Sequence, residues 1–255
     1  MRFIVSTSTL LKHLQTVNGA SSSSTVLPIL ENFLFEIKDG SLTISATDLQ
    51  TSMTTSLPVE SKEGGKVAVP ARILLDTLKT LPDQPISFNI DDATFSIEIS
   101  AGDGKYKLSG ENGDDFPKIP VVENASSVNL PASVLTEAIT KTIFAVSSDE
   151  LRPAMTGVYC QLSDQFITFV ATDAHKLVRY RRMDSKADKT ASFILPKKAL
   201  TLLKAALPSL ISMFLLTTMQ QVLFSSSKIL TWYAGLLMSV TRIMKQLFLP
   251  TTQIN

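Results

Sequence analysis

The residues best suited to chemistry lie in one short segment, Ala171–Leu177, which reads Ala-Thr-Asp-Ala-His-Lys-Leu and follows the strand-like run Phe166–Val170. The segment presents an imidazole (His175), a cation (Lys176) and a leucine together, in a predicted turn at the end of a strand. Asp173 and His175 could join one of many serines in a catalytic triad, but no Gly-x-Ser-x-Gly segment supplies the nucleophile. Asp173 is also typical of a residue that caps backbone N–H groups in a turn.

Other chemical possibilities have weaker support in the sequence. The chain has two histidines, His13 and His175, and one cysteine, Cys160, which do not make a common metal site. Residues 64–66, Gly-Gly-Lys, are residue types found in phosphate-binding loops, but their spacing does not match such a loop. We therefore expect a non-catalytic protein with no cofactor and no bound metal.

The chemical segment has an earlier counterpart in the same chain. Ala46–Leu49 reads Ala-Thr-Asp-Leu and follows the strand-like run Ser41–Ser45. Pro28 precedes Ala46 by 18 residues, and Pro153 precedes Ala171 by the same 18 residues. Equal spacing on both sides predicts a tandem repeat with a period of about 125 residues.

Each repeat divides further into two strand–helix units. The four units begin at residues 3, 67, 128 and 193, and each has serine or proline at its fourth position, where a helix is predicted to begin. The eighth position is leucine in all four units: Leu10, Leu74, Leu135 and Leu200. Alternating strands separate the helices, which favours antiparallel sheets. The predicted class is α+β, with domains that are each an internally duplicated strand–helix–antiparallel-sheet unit.

Composition divides the chain unevenly. We predict one domain over residues 1–120 and an incomplete second domain over 121–209, joined at a proline-rich, polar stretch, residues 115–125. Residues 1–209 contain 21 basic and 23 acidic residues, whereas residues 210–255 contain three basic residues and no acidic residue. Codon degeneracy permits a shifted frame there that encodes a strand-like run and then R-L-I-D-E-R-Y-P-N-Y-E-A-V-I-P. Residues 210–255 are therefore predicted to be a frame-shifted, non-native tail.

The expected compartment is the cytoplasm. One cysteine cannot form a disulfide framework, and the first residues lead into a polar run instead of a secretory signal. The apolar tail permits a second hypothesis, a non-catalytic interaction scaffold whose tail binds a membrane surface or a partner. Polar residues interrupt the tail, so it contains no apolar run of about 20 residues that would span a membrane.

Together, these motifs resemble the bacterial sliding clamp, the beta subunit of DNA polymerase III. The resemblance covers residues 1–209 and implies DNA-clamp (processivity fold) domains, two of the usual three. It also implies a non-catalytic processivity factor, a polymerase subunit whose two chains close into a ring around duplex DNA. The motifs that carry the resemblance are residues 27–30 (Leu-Pro-Ile-Leu), 69–72 (Val-Pro-Ala-Arg), 115–117 (Asp-Phe-Pro), 171–177 and 195–198 (Leu-Pro-Lys-Lys).

By this resemblance, the four helices line the hole and face DNA without reading its sequence. Lysine and arginine contact phosphates in this way, and such contacts are independent of base sequence and sensitive to salt. Scattered lysines on amphipathic helices are usually solvated, but the position at a helix start favours Arg72, Lys197 and Lys198. The remaining candidates lie further along the helices: Lys12, Lys79, Lys141 and Lys204.

The resemblance also implies protein partners and an oligomer. The partners are the DNA polymerase III alpha subunit, the clamp loader and other proteins with clamp-binding motifs. Tyr106 and Leu108 would lie on the edge that pairs with a partner chain in a homodimer. The resemblance also implies a partner-peptide pocket, of which this chain would supply only the near wall. The residues of that wall would be Met155, Thr172, Ala174, His175, Lys176 and Leu177. Ring closure by this chain is doubtful because the far wall and the dimer edge need a third domain, and no membrane association is expected.

Overall fold

The computed structural model of the chain describes residues 1–21, 27–119, 126–149, 151–187, 190–207, 212–217, 221–225 and 230–235. The chain divides into two compact units. The first contains Met1–Pro120 together with Lys228–Thr231, and the second contains Val121–Ser227 together with Trp232–Asn255. Each unit is described separately below.

The first unit contains ten strands and two helices. In chain order these are β1 (Arg2–Ser6), α1 (Thr7–Val17), β2 (Asn32–Lys38), β3 (Ser41–Thr47), β4 (Thr51–Pro58), β5 (Glu60–Ser61), β6 (Gly65–Pro70), α2 (Ala71–Thr80), β7 (Pro85–Ile90), β8 (Ser96–Ala101), β9 (Gly104–Ser109) and β10 (Glu111–Asn112). Strands β5-β1-β7-β8-β9 form one antiparallel sheet, and β10-β6-β2-β3-β4 follow one another in a second. The antiparallel pairing agrees with the alternation predicted from sequence.

Aromatic side chains from three strands fill the core of the first unit. The rings of Phe3 and Phe88 stack with centroids 4.6 Å apart, and Phe35 is tilted against both at 6.4 Å. All three side chains are buried. Burial of an aromatic side chain removes roughly 150–250 Å² of its surface from water, and such burial is a dominant contribution to the stability of a core.

The second unit repeats the arrangement. Its elements are β11 (Ser126–Pro131), α3 (Ala132–Thr142), β12 (Gly157–Leu162), β13 (Ile167–Thr172), β14 (Leu177–Arg182), β15 (Ala191–Pro196), α4 (Lys197–Ala206), β16 (Ser212–Thr217) and β17 (Gln221–Ser225); β18 (Leu230–Gly235) follows. Strands β14-β13-β12-β15 form a four-stranded antiparallel sheet. Strand β16 pairs with β11 and with β17.

All four predicted strand–helix units are present, and the α+β class is confirmed. The eighth-position leucines are buried in each case: Leu10, Leu74, Leu135 and Leu200 are at most 2% exposed. The fourth-position residue differs from the prediction in one detail. Ser6, Pro70, Pro131 and Pro196 lie at the N-cap with extended backbone, one residue before the helix begins. Proline is still compatible, because its fixed φ suits the extended end of the preceding strand.

Three strands, β16 to β18, follow residue 209, where the sequence predicted that the recognisable pattern ends. These strands have the composition of β-formers, with apolar and aromatic residues in each. Codon degeneracy also permits a strand-like run at this position in the alternative frame, so strand formation here is compatible with both frames. The frame-shifted tail therefore stays a prediction.

Candidate functional site

The predicted chemical segment forms the turn between β13 and β14. The Thr172 hydroxyl donates to the Lys176 carbonyl at 2.8 Å and accepts from the Ala174 N–H at 3.2 Å. Oδ1 of Asp173 accepts from the backbone N–H groups of His175 at 3.1 Å and Lys176 at 2.9 Å. Ala174 adopts a left-handed conformation with φ of 77°. Thr172 and Asp173 therefore hold a turn that alanine would not form readily by itself.

The turn between β3 and β4 has the same construction. The Thr47 hydroxyl donates to the Thr51 carbonyl at 3.2 Å and accepts from the Leu49 N–H at 3.1 Å. Oδ1 of Asp48 accepts from the N–H groups of Gln50 at 3.0 Å and Thr51 at 2.6 Å, and Leu49 has φ of 73°. The proposed capping role of both aspartates is thus their observed role, and it leaves His175 and Lys176 unexplained.

The remaining side chains of the second turn face solvent. His175 and Lys176 are exposed, and Leu177 is 56% exposed. The Lys176 ammonium forms an ion pair with Oδ2 of Asp173, and this hydrogen bond lowers the pKa of the Asp173 carboxyl below its usual range. Such an exposed leucine beside polar groups suits contact with a peptide's apolar side chain.

Thr172 lies in the sheet that carries this turn, and the segment that contains Met155 packs on the same sheet. Thr172 pairs directly with Leu177 across the β13–β14 ladder. A 3-10 turn, Pro153–Met155, packs on the same sheet through Ala154, which covers a buried cluster of Tyr159, Val170 and Ile194. The structure thus brings the half-buried Met155 to the sheet that carries the turn. By the resemblance, the far wall would come from a third domain, so these residues would form one side of the predicted site.

The seven predicted DNA-binding residues are all the basic residues of the four helices, which contain only two acidic residues, Asp76 and Glu137. Outside the helices, residues 1–209 contain 14 basic and 21 acidic residues. Six of the seven predicted side chains are exposed, and Lys204 is half-buried. Within each unit the two helices pack against each other, α1 on α2 and α3 on α4. Positive charge is therefore concentrated on the helices.

Two of these cations have acidic partners on their own helices. Lys79 lies 3.3 Å from Oδ1 of Asp76, and Lys141 lies 2.6 Å from Oε1 of Glu137. The Glu137 carboxylate raises the pKa of Lys141, and the Lys141 hydrogen bond lowers that of Glu137. These partners reduce the local positive charge around Lys79 and Lys141.

The helix-start residues border open concave surfaces. Lys197 and Lys198 line a cavity of about 460 Å³ with the hydroxyl-bearing residues Ser147, Ser148 and Thr156. Arg72 lines a separate cavity of about 610 Å³ in the first unit. Hydroxyl groups beside cations are typical phosphate contacts.

The other candidate chemical groups have structural roles. Nδ1 of His13 lies 2.7 Å from the Thr55 hydroxyl, and burial, assisted by the Lys12 charge, lowers its pKa. A side chain on Gly64 would lie 2.9 Å from the Ile37 carbonyl oxygen, so this glycine allows close packing. Burial raises the pKa of the Cys160 thiol. Within the described part of the chain, no group of three or more His, Cys, Asp or Glu residues could hold a metal ion.

The predicted dimer edge lies on β9, the last strand of the five-stranded sheet. Tyr106 and Leu108 share one face of this strand and are half-buried, whereas Lys105 and Lys107 alternate with them and are exposed. A purely core-facing alternation would bury Tyr106 and Leu108 completely. Their partial exposure on an edge strand leaves apolar surface for a neighbouring chain.

The alternative hypothesis of a membrane- or partner-binding tail falls mostly on residues outside the described ranges. Among the residues that are described, no helix is both long and apolar enough to cross a membrane.

Two arginines in β14 were not predicted as site residues. Arg179 and Arg181 are exposed and alternate with half-buried Val178, Tyr180 and Arg182. The signal was present in the sequence as Leu-Val-Arg-Tyr-Arg-Arg, a period-two alternation in which the exposed residues are cations. The sequence pattern predicted no strand over these residues.

The family model for the DNA polymerase III beta subunit N-terminal domain matches residues 1–120, and the model for its central domain matches residues 129–233. The beta sliding clamp of Halalkalibacterium halodurans is 30% identical over 211 residues, which are 78% of this chain and 55% of that protein. The beta sliding clamp of Bacillus subtilis is 28% identical over 240 residues, 90% of this chain and 63% of the relative.

Solved structures show the same relationship. The DNA polymerase sliding clamp from Bacillus subtilis superposes with a TM-score of 0.88 at 26% identity, covering 93% of this chain and 64% of that one. The DNA polymerase III beta subunit from Thermotoga maritima gives a TM-score of 0.82 at 25% identity, covering 92% and 64%. This chain thus spans between about half and two thirds of the length of these relatives. The two matched domains and the duplicated fold show that the chain belongs to the DNA polymerase III beta subunit family, the bacterial sliding clamps.

Proposed function

We propose that this chain supplies the first two domains of a DNA polymerase processivity factor, a sliding clamp that in its complete form encircles duplex DNA. The observation that carries the proposal is the segregation of charge, because seven basic residues lie on four helices while the rest of residues 1–209 is acidic. A ring whose basic residues lie only on its inner wall attracts the DNA phosphates and has no preference for a particular base sequence. The protein acts by positioning a polymerase and carries out no catalysis itself.

The DNA-facing residues in this proposal are Arg72, Lys197 and Lys198 at helix starts, supported by Lys12, Lys79, Lys141 and Lys204. The domains are residues 1–120 and 121–209. The dimer edge is β9, with Tyr106 and Leu108 as its apolar contacts.

The partner-peptide site is the turn after β13. Its apolar contacts are Met155, Ala174 and Leu177, and its polar groups are His175 and Lys176, with Thr172 holding the turn. The partners are proteins that carry a short peptide with an apolar anchor, among them the polymerase alpha subunit and the clamp loader. A third domain completes the groove in the whole protein.

Charge reversal on the helices tests the DNA contacts. In the variant Arg72→Glu/Lys197→Glu/Lys198→Glu, we expect binding to a non-specific duplex, measured by fluorescence anisotropy at low salt, to weaken. The slope of log K against log salt should fall by about 0.9 for each lost phosphate contact. The matched control Lys38→Glu/Lys62→Glu/Lys118→Glu makes the same charge change at exposed positions outside the helices. Equal weakening in both variants would refute a helix-specific DNA surface.

The reading frame after residue 209 is tested on the DNA itself. Sequencing through the codons for residues 206–215 and past the stop codon should show that one restored base opens a frame with a third clamp domain. If the frame stands as given and no such domain follows, the tail is genuine protein and the non-native-tail hypothesis fails.

A further inference from the structure

Strand β14 carries an unexplained basic strip, which we define as Arg179 and Arg181. Side chains alternate between the two faces of a strand, so Leu177, Arg179 and Arg181 share one face. Leu177 belongs to the proposed peptide site. The strip therefore continues from that site along the same strand and the same face.

The opposite face of β14 is occupied by an internal network. Nη1 of Arg182 donates to Oε2 of Glu137 on α3 and to the Tyr180 hydroxyl, both at 2.9 Å. The Lys141 ammonium lies 5.1 Å from the centroid of the Tyr180 ring. This face is directed toward α3 and the helix surface, so Arg179 and Arg181 point away from the cations proposed to face DNA.

The guanidinium groups of the strip are available for an acidic ligand. Arg181 stacks 4.2 Å over the Phe166 ring and donates from Nε to the Thr168 hydroxyl at 3.1 Å, which fixes its direction. Within the described part of the chain, neither Arg179 nor Arg181 has a carboxylate partner. Arg179 and Arg181 are two residues apart on a strand, so their Cα atoms are separated by about 6.6 Å along it. An extended peptide spaces alternate side chains by the same distance.

We propose that Arg179 and Arg181 bind two carboxylates spaced two residues apart in the extended flank of a partner peptide. This inference rests on the proposed peptide site, because the peptide's apolar anchor would contact Leu177 while its acidic flank runs along the strip. Arginine binds carboxylates in a bidentate geometry, and an exposed pair is stabilised further when its guanidinium is already ordered. The strip selects partners by charge next to a pocket that selects them by apolar shape.

Three fluorescein-labelled peptides separate the two contributions. One carries a Leu-Phe anchor with a neutral Ser/Asn flank, one carries the same anchor with Asp at alternate flank positions, and one keeps the Asp residues and replaces the anchor by Ser. Anisotropy against the 255-residue chain should give tighter binding for the anchored Asp peptide than for the neutral one. The gain should be about fivefold per arginine at low salt and should fall as salt rises.

Charge reversal tests the strip directly. Arg179→Glu/Arg181→Glu should abolish the preference for Asp and create a preference for a peptide with Lys at the same positions. The control Lys105→Glu/Lys107→Glu changes two exposed cations at the same spacing on β9 and should leave the preference unchanged. The swap in preference is a result that a merely structural role would not produce.

Each failure has its own signature. Binding of the anchor peptide without any gain from Asp would overturn the strip and leave the peptide site intact. Binding of both Asp peptides without any gain from the anchor would support the strip and refute the pocket. No binding by any Asp peptide at millimolar concentration would overturn the strip. Loss of duplex DNA binding in Arg179→Glu/Arg181→Glu would assign these arginines to nucleic acid and overturn it as well.

Discussion

The carboxylate of Asp173 holds the turn that exposes His175 and Lys176. Its Oδ1 holds two backbone N–H groups, and its Oδ2 pairs with the Lys176 ammonium. The residue is therefore a positioning residue for His175 and Lys176. Its first-repeat counterpart, Asp48, holds the same two N–H groups, and the residue at the position of Lys176 is Thr51.

The lowered pKa of Asp173 predicts a pH-dependent contribution to stability. Because the unfolded state binds a proton more readily than the folded state, this contribution is present above the ordinary Asp pKa of about 4 and is lost as pH falls through the folded-state value. In urea unfolding, wild type should be more stable than Asp173→Asn at pH 6, and the difference should shrink at pH 3. Asp103→Asn, an exposed turn residue, is the control. A difference that is constant with pH would contradict the prediction.

At the scale of elements, α2 shows how a helix separates its core face from its outer face. Leu74 is fully buried, whereas its neighbour Ile73 is 55% exposed. The other helices follow the same rule, with buried leucine at the equivalent position and basic residues on the exposed side. The buried side chains thus fix the position of the helix, and its cations remain on the outer face.

Truncation of these neighbours should have unequal effects. Leu74→Ala should lower the free energy of unfolding by about 2–5 kcal/mol, because it leaves a cavity beneath the helix. Ile73→Ala removes an exposed side chain of similar size and should change it by about 0.5 kcal/mol or less. Urea denaturation followed by circular dichroism measures both. Similar losses for the two variants would mean that α2 is not seated as the structure places it.

Strand β9 should promote self-association of the 255-residue chain. Among the residues that the structure describes, no strand pairs with the outer edge of β9, and the half-buried Tyr106 and Leu108 supply apolar contact. Leu108→Lys should reduce the concentration-dependent mass measured by light scattering after gel filtration. Ile73→Lys places the same charge at an exposed apolar position elsewhere. If Ile73→Lys reduces association and Leu108→Lys does not, the edge assignment is wrong.

The sequence predicted the repeating elements better than the contacts between them. The leucine at the eighth position of each unit and the Thr-Asp turns depend on local spacing, so the four helices and both turns could be derived from the sequence. Other contacts join residues far apart in the chain: Asp83 accepts from the Ser6 hydroxyl at 3.0 Å and from the Ser8 N–H at 3.2 Å, at the start of α1. Strand β4 was not predicted because serine and threonine dominate it. Strand β14 was not predicted because three of its six residues are arginines, although Val178 and Tyr180 do alternate with Arg179 and Arg181.

At the scale of the whole molecule, ring formation depends on the number of units. This chain supplies four strand–helix units, and the resemblance implies six in a complete clamp chain. A protein held on DNA by topology stays bound when salt screens its phosphate contacts, whereas one held by charge alone dissociates.

The 255-residue chain should therefore leave circular DNA at high salt. After incubation with a nicked plasmid, gel filtration at about 1 M salt, where the screening length is about 3 Å, should separate protein from DNA completely. The same result is expected on linear DNA, because neither substrate is enclosed. Retention on the circle that is lost when the plasmid is cut would show that two such chains do close a ring.

The duplicated Thr–Asp turns have a consequence for engineering this protein. Threonine, aspartate and the backbone supply the hydrogen bonds that the two turns share, but the remaining positions differ in burial. His175, Lys176 and Leu177 are exposed in the second turn. Thr51 and Ser52 are buried in the first turn, and the Ser52 hydroxyl lies 2.7 Å from the Thr47 hydroxyl. Gln50, Thr51 and Ser52 occupy the positions of His175, Lys176 and Leu177, and both turns share the left-handed residue before them. The second turn can therefore accept other residues at its tip, whereas grafting His-Lys-Leu into the first turn would force a lysine and a leucine into the buried positions of Thr51 and Ser52.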